Sequence, residues 1–283
     1  MNAFQYLEPQ SVDEAVRLLA EKGGRARLLA GGTDLIIQME MGRHSPEVVL
    51  SPQRISELRE ITWDPAHGLR IGATATLREV ENHSVVVEKY PALARGAKEV
   101  GSVQIRNLAT LAGNVCNASP SADTSPALLG YDASVEIAGP GGRRAVPVAD
   151  FWTGPGQCIL EDGEMVPAIL LPPPPDGQRS FYYKLAVRKA MDLAMVGLCV
   201  TLVPGGGGSA SNVRIAVGAA APTCFRASEA EAAVEAGGRS AIDRAAALAE
   251  AAVRPIDDQR ASAAYRREMV RVLTARALTQ LLA

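Results

Sequence analysis

The chain has 283 residues, 47% of them hydrophobic but only 4% aromatic, so it can build about two domains with cores of aliphatic side chains and alanine. A net charge of −2 and a pI near 6.0 exclude nucleic acid and anionic membranes as main partners, because both require a basic face. The four cysteines, Cys116, Cys158, Cys199 and Cys224, have no CxxC spacing and form neither a disulfide framework nor a zinc or iron–sulfur signature.

In chain order, the opening MNAFQYLEPQ lacks a basic end followed by an apolar run, so no signal peptide is expected. A helix is predicted over 11–23, with Ser11 and Glu14 in a capping-box pattern and Ala15, Val16, Leu18 and Leu19 on one face. ARLLA at 26–30 reads as a short buried strand that ends at Gly31-Gly32, and TDLIIQMEMG reads as a helix stopping near Gly42. Strands are expected at 48–52 and 68–76, and helices at 77–82 and 85–100, the second interrupted at Pro91. ATLAGNVCNASPSAD at 109–123 reads as an irregular turn before a helix in TSPALLGYDA. YDASVEIAGPGGRRAVPV then forms two strands around a Gly-Pro-Gly-Gly turn, and EMVPAILL forms another.

Four consecutive prolines follow, which continue neither strand nor helix, so a domain boundary is placed at 172–178. Beyond it come three strands, in SFYYKLAV, LAMVGLCVTLV and NVRIAVGAA, the last two joined by GGGGS at 205–209. Three helices are expected at 228–236, 240–253 and 258–282, the first with Ser228 and Glu231 as a capping box. Strands followed by helices describe a small α+β domain. The longest apolar run, Leu193 to Val203, is too short to span a bilayer, so the expectation is a soluble cytoplasmic protein without membrane insertion.

The chemistry is first defined by what is missing. His44, His67 and His83 have no metal-ligand spacing, and there is no GxSxG elbow, P-loop or GxGxxG after a strand. With no side-chain constellation for hydrolysis or acyl transfer, a bound cofactor would carry any reaction. Two glycine-rich turns remain. In LLAGGTDL, Gly31 and Gly32 allow a ligand to approach the backbone, and the following helical amides suit an anion; an ordinary strand-to-helix turn capped by Thr33 or Asp34 is the alternative. In the second turn, Gly113 and Asn114 suit an unusual backbone, Ser119 and Ser121 offer hydroxyls, and Asp123 is either a ribose acceptor or a helix cap. Two anion-friendly turns without a lysine cluster fit a diphosphate held by main-chain amides.

These stretches, together with GSVQIRNLATLAGNVCNASPSAD, GEMVPAILLP and FYYKLAVRKAMDLAMVGLCV, make nearly the whole chain resemble the flavoprotein (medium) subunit of molybdenum hydroxylases, a family that includes the flavin subunits of carbon monoxide dehydrogenase and xanthine dehydrogenase. The resemblance implies an α+β fold: a two-lobed FAD-binding domain of the vanillyl-alcohol-oxidase (PCMH) type at 1–175, with lobes of about 1–54 and 55–175, then a C-terminal α+β domain at 176–283 with a three-stranded antiparallel sheet plus helices. By the same resemblance Ala30, Gly31, Gly32, Thr33, Asp34 and Leu35 would hold one side of the FAD diphosphate. Thr110, Ala112, Gly113 and Asn114 would hold the other. Ser119 and Asp123 would lie on the ribose and adenosine side. Val166 would pack near the isoalloxazine, and Lys184 would hydrogen-bond its pyrimidine edge and stabilise reduced flavin. Ala112 departs from the family, which has glycine there; the turn tolerates alanine only if φ is negative.

The function so implied is electron transfer. FAD in this chain would receive electrons from 2Fe-2S clusters of a small partner, while a large partner carries the molybdenum cofactor, in a dimer of heterotrimers served by an external electron acceptor. Rival readings are a stand-alone FAD oxidase and a flavin-free assembly module.

Overall fold

The computed structural model describes residues 1–283 and begins with a parallel three-stranded sheet. Strands β1 (Gln5–Leu7) and β2 (Ala26–Leu28) flank β3 (Val48–Leu50), whose three residues are all buried because it is the central strand. Helix α1 (Val12–Lys22) covers the sheet with Val12, Ala15, Val16 and Leu19. Its capping serine forms as expected, with Ser11 Oγ accepting from Glu14 N, while the Glu14 carboxylate accepts from Gln10 N. The short α2 (Leu35–Glu40) follows β2 across the Gly-Gly turn.

The second lobe is built on a five-stranded antiparallel sheet. Its strands are β4 (Ile61–Asp64), β5 (Gly68–Gly72), β6 (Ser134–Gly139), β7 (Gly142–Pro147) and, after the hairpin β8 (Trp152–Gly154) and β9 (Gln157–Cys158), the fully apolar β10 (Met165–Leu171). The spatial order is β4-β5-β10-β6-β7, so β10 is central, which accounts for its buried run. Between β5 and β6 run six short helices: α3 (Leu77–Asn82), α4 (Ser84–Lys89), α5 (Pro91–Glu99), α6 (Val103–Arg106), α7 (Leu111–Cys116) and α8 (Ser125–Gly130). Pro91 starts α5, the position where its missing N–H costs nothing.

The C-terminal unit holds the antiparallel strands β11 (Arg179–Leu185), β12 (Val196–Pro204) and β13 (Ala210–Gly218), and a two-residue strand, Phe225–Arg226, adds a fourth at the edge. The helices at Ser228–Gly237, Ile242–Ala252 and Ala263–Leu281 cover one face. The last starts at 263 rather than 258, because the Asp258 carboxylate accepts from Arg260 N and Ala261 N in a tight loop and Ser262 is the cap. The capping box expected at Ser228 is absent: Ala227 is the N-cap, and Glu231 instead accepts from Ile215 N and pairs with Arg226. A buried edge amide of β13 competes for that carboxylate and wins.

The two units meet along α8, all of whose residues are buried. Thr201 Oγ1 donates to Gly130 O across the junction, and Ala219 N donates to Pro120 O. Tyr90 and Tyr131 meet edge to face at 5.2 Å; the Tyr90 hydroxyl donates to Pro172 O, and the Tyr131 hydroxyl donates to Ser180 Oγ. The proline linker is therefore anchored at its start, and the strand after it is anchored too. No helix is long and apolar enough to cross a membrane.

Candidate functional site: a three-compartment trough

The two glycine-rich segments lie against each other. Gly31 sits so close to the 108–109 backbone that a Cβ there would collide with the Leu108 carbonyl oxygen, and Gly32 has φ +72°. Only glycine meets both demands without strain. The turn leaves the N–H groups of Ala30 to Leu35 outside all of the chain's hydrogen bonds, the first intrahelical bond being Ile36 N to Gly32 O. Asp34 is the N-cap of α2 but its side chain makes no capping bond, and burial raises its carboxyl above the usual range. The simple capped-turn alternative therefore fails for this residue.

Facing this turn is α7. The sequence suggested an irregular turn over 109–123, yet Thr110 caps a helix by accepting from Gly113 N at 3.0 Å, and Leu111, Ala112 and Val115 are buried. Trp152 Nε1 donates to Val115 O and fixes the helix from below. Ala112 is helical, has no positive φ and carries no backbone strain. Asn114 is held by Thr124, whose hydroxyl donates to Asn114 Oδ1 at 2.6 Å.

Between the segments is a cleft of about 340 Å³ lined by Ala30 to Leu35, Gln38, Thr110, Gly113 and Asn114, among others. It continues in both directions. Through Leu28, Ala30, Gly113 and Cys116 it opens into a cavity of about 690 Å³, walled by Leu19, Ala26, Ala112, Cys158 and Val166. Through Asp34, Val100 and Asn114 it opens into one of about 610 Å³, bordered by Ser119, Ser121 and Asp123 and by Arg188, Leu193 and Arg260 of the C-terminal unit. The expected site residues other than Lys184 thus line one trough, at different stations along it, and Lys184 reaches it only through Asp123.

The resemblance gave Val166 and Lys184 to the isoalloxazine and Asp123 to the ribose and adenosine side. In the structure Lys184 lies against Asp123. Lys184 Nζ is 2.7 Å from Asp123 Oδ2 and donates to Glu99 O, so the two charged residues share one end, whereas Val166 lines the opposite end. The physical reason is that β11 packs beside α5, where an almost fully buried ammonium needs a counter-charge. Asp123 is consequently not the cap of α8; Thr124 takes that position. Burial pushes the Asp123 carboxyl up to about 6, against the pull of Lys184. The trough walls contributed by 157–165, 187–193 and 259–260 carry no motif of their own and emerge only from the tertiary fold.

A two-lobed domain with a diphosphate-sized cleft of free amides between two larger compartments is that of a dinucleotide-binding flavoprotein. Residues 2–174 match the family model described as the FAD binding domain in molybdopterin dehydrogenase, and residues 181–281 match the CO dehydrogenase flavoprotein C-terminal domain. The chain belongs to the FAD-binding medium-subunit family of the molybdenum hydroxylases, which are oxidoreductases. It is 34% identical over 282 residues to the xanthine dehydrogenase FAD-binding subunit of Escherichia coli O157:H7, covering 98% of this chain and 96% of that one. It is 33% identical to the carbon monoxide dehydrogenase medium chain of Hydrogenophaga pseudoflava, covering 97% and 96%. Among solved structures, carbon monoxide dehydrogenase from that organism superposes with a TM-score of 0.93 at 34% identity, covering 98% of this chain and 96% of that one. Quinoline 2-oxidoreductase from Pseudomonas putida 86 superposes with a TM-score of 0.91 at 27%, covering 99% and 97%. FAD fits the residues present, because the glycine cradle that a Cβ would fill and the free amides of Ala30 to Leu35 suit its diphosphate.

Proposed function

We propose that this chain is the electron-transferring flavin subunit of a molybdenum-dependent hydroxylase complex. It accepts electrons from 2Fe-2S clusters of a small partner subunit and hands them to an external acceptor. A large partner carries the molybdenum cofactor and oxidises the organic substrate. The complex is a dimer of heterotrimers in the cytoplasm. One observation carries the reading: the trough offers free amides at its centre and a compartment at each end.

Bound FAD supplies one- and two-electron redox chemistry. This chain's residues bind and orient it. The amides of Ala30 to Leu35 hold one face of the diphosphate, and the start of α7, from its cap Thr110 to Asn114, closes the other. The cavity walled by Leu19, Ala26, Leu28 and Val166 suits the adenine, since it offers aliphatic faces for stacking. The isoalloxazine belongs at the opposite end, where Asp123 borders the cavity and both structural units contribute walls. Lys184, 6% exposed, acts there through Asp123, fixing its carboxylate.

The test is the visible absorption spectrum of natively purified chain, with the chromophore released by heat and identified. Flavin bands and an equimolar amount of FAD are expected. A colourless but folded protein would sink the reading. Reduction of the bound flavin by substrate only when the two partner subunits are present would establish the direction of electron flow.

A further inference from the structure

The diphosphate cleft has one wall, residues 100–110, that is short of regular structure; only α6 interrupts it. Yet this wall supplies the Leu108 carbonyl on which Gly31 rests and the Val100, Ile105, Ala109 and Thr110 lining. Something must fix it. At its C-terminal end, Leu77 N donates to Ala109 O at 2.7 Å and Thr76 bridges Thr110, so the start of α3 is bound to the entrance of α7. Within it, on α6, lies a buried charge pair that the flavin reading does not use. Arg106 Nε is 3.1 Å from Glu81 Oε2, in the last turn of α3, with side-chain exposures of 8% and 2%. Arg106 Nη1 donates to Val100 O at 2.9 Å, and Arg78 pairs with the other Glu81 oxygen.

We infer that Glu81 and Arg106 are positioning residues for FAD, bracing the 100–110 wall against α3 so that the cradle is formed before the cofactor arrives. The inference rests on the FAD-binding reading of the trough. Neither residue lines the cleft, so neither touches the ligand. Their influence runs through Val100 and through the Leu108 carbonyl, which sets the height of the Gly31 turn and hence the aim of the free amides. A guanidinium gives what a bulky apolar residue could not, namely a charge-assisted bond to the loop carbonyl and a fixed partner on the helix.

The experiment titrates FAD into the flavin-stripped full chain, following quenching of flavin fluorescence, alongside the melting temperature of each apoprotein. Glu81→Gln is expected to raise the FAD Kd by about tenfold or more. Arg106→Lys recovers part of the affinity lost in Arg106→Met. An ion pair that served folding alone would lower the apoprotein melting temperature and leave the Kd of the folded molecules unchanged. Should a single variant fail to fold, the double variant Glu81→Gln/Arg106→Met, which leaves no buried charge unpaired, decides. Parent chain that binds FAD while the folded variants bind within about twofold of it overturns the inference. Parent chain that binds no FAD overturns instead the reading beneath it.

Discussion

At the scale of single residues, the site depends on places where an atom is missing. Gly31 is the sharpest: added carbon there meets backbone, the Leu108 carbonyl, which cannot rotate away as a side chain could. Gly31→Ala should therefore part the two segments and remove FAD binding, with a stability loss of about 1–3 kcal/mol. Gly141→Ala, where nothing lies within 4 Å, should leave both unchanged. Retained FAD and an unshifted urea midpoint in the first variant would show that the segments do not touch as described. Asp123 makes the opposite demand, a charge kept where water is scarce. Its carboxyl is raised to about 6 because burial outweighs the attraction of Lys184. A raised carboxyl binds its proton more tightly in the folded chain, so its stabilising share is complete below about pH 4 and is lost as the pH rises through about 6. In urea titrations of the apoprotein, Asp123→Asn should gain on the parent between those pH values, by on the order of 2 kcal/mol, and hold a constant offset above them. A gap that moves the other way would mean that the ion pair outweighs its desolvation.

At the scale of elements, what was legible in the sequence was what is decided locally. The fully apolar β10, the hairpin β6–β7 and the glycine turn before α2 each carry their cause within a few residues, and each is found. Helix α7 was not legible as a helix. Its sequence, LAGNVC, combines glycine and asparagine, both poor helix formers, and it is held by Thr110 at its start and Trp152 beneath it. Tertiary burial overrides propensity there. Ala112 suits that helix better than a glycine would, and its backbone carries no strain. β1 and β4, of three and four residues, lacked enough alternation to be seen. The glycine turn at 31–32 was readable because backbone conformation writes itself into glycine. The Asp123–Lys184 pair was not, since it joins residues 61 positions apart and only the packing of β11 against α5 brings them together. The same holds for the capping glutamate at 231, whose real partners are on β13 and the edge strand.

At the scale of the whole molecule, the sequence boundary at the prolines is not the boundary of the packing. Tyr182, Cys199, Ala216 and Cys224 lie beyond the linker, yet they join the core of the FAD-binding unit, while a second core is confined to 196–282. The seam is α8, whose Gly130 faces Cys199 so closely that a Cβ would come within 2.8 Å of its sulfur and 3.3 Å of Thr201 Cγ2. This contact matters to the site because Arg188, Leu193, Gln259 and Arg260 reach the Asp123 end of the trough only while the two units stay docked. Gly130→Val should wedge the seam and break the Thr201 bond to Gly130 O, without touching the glycine cradle. The expected result is specific to one end of the ligand. FAD affinity falls because the Asp123-end cavity, proposed above for the isoalloxazine, loses a wall, whereas ADP, which presents only the adenosine and diphosphate to the trough, binds as it does to the parent. Calorimetry of the variant should resolve two unfolding transitions where the parent gives one, each core now melting alone. Equal losses for FAD and ADP would instead place the damage in the cradle, and would mean that α8 transmits the strain back through Thr124 to Asn114.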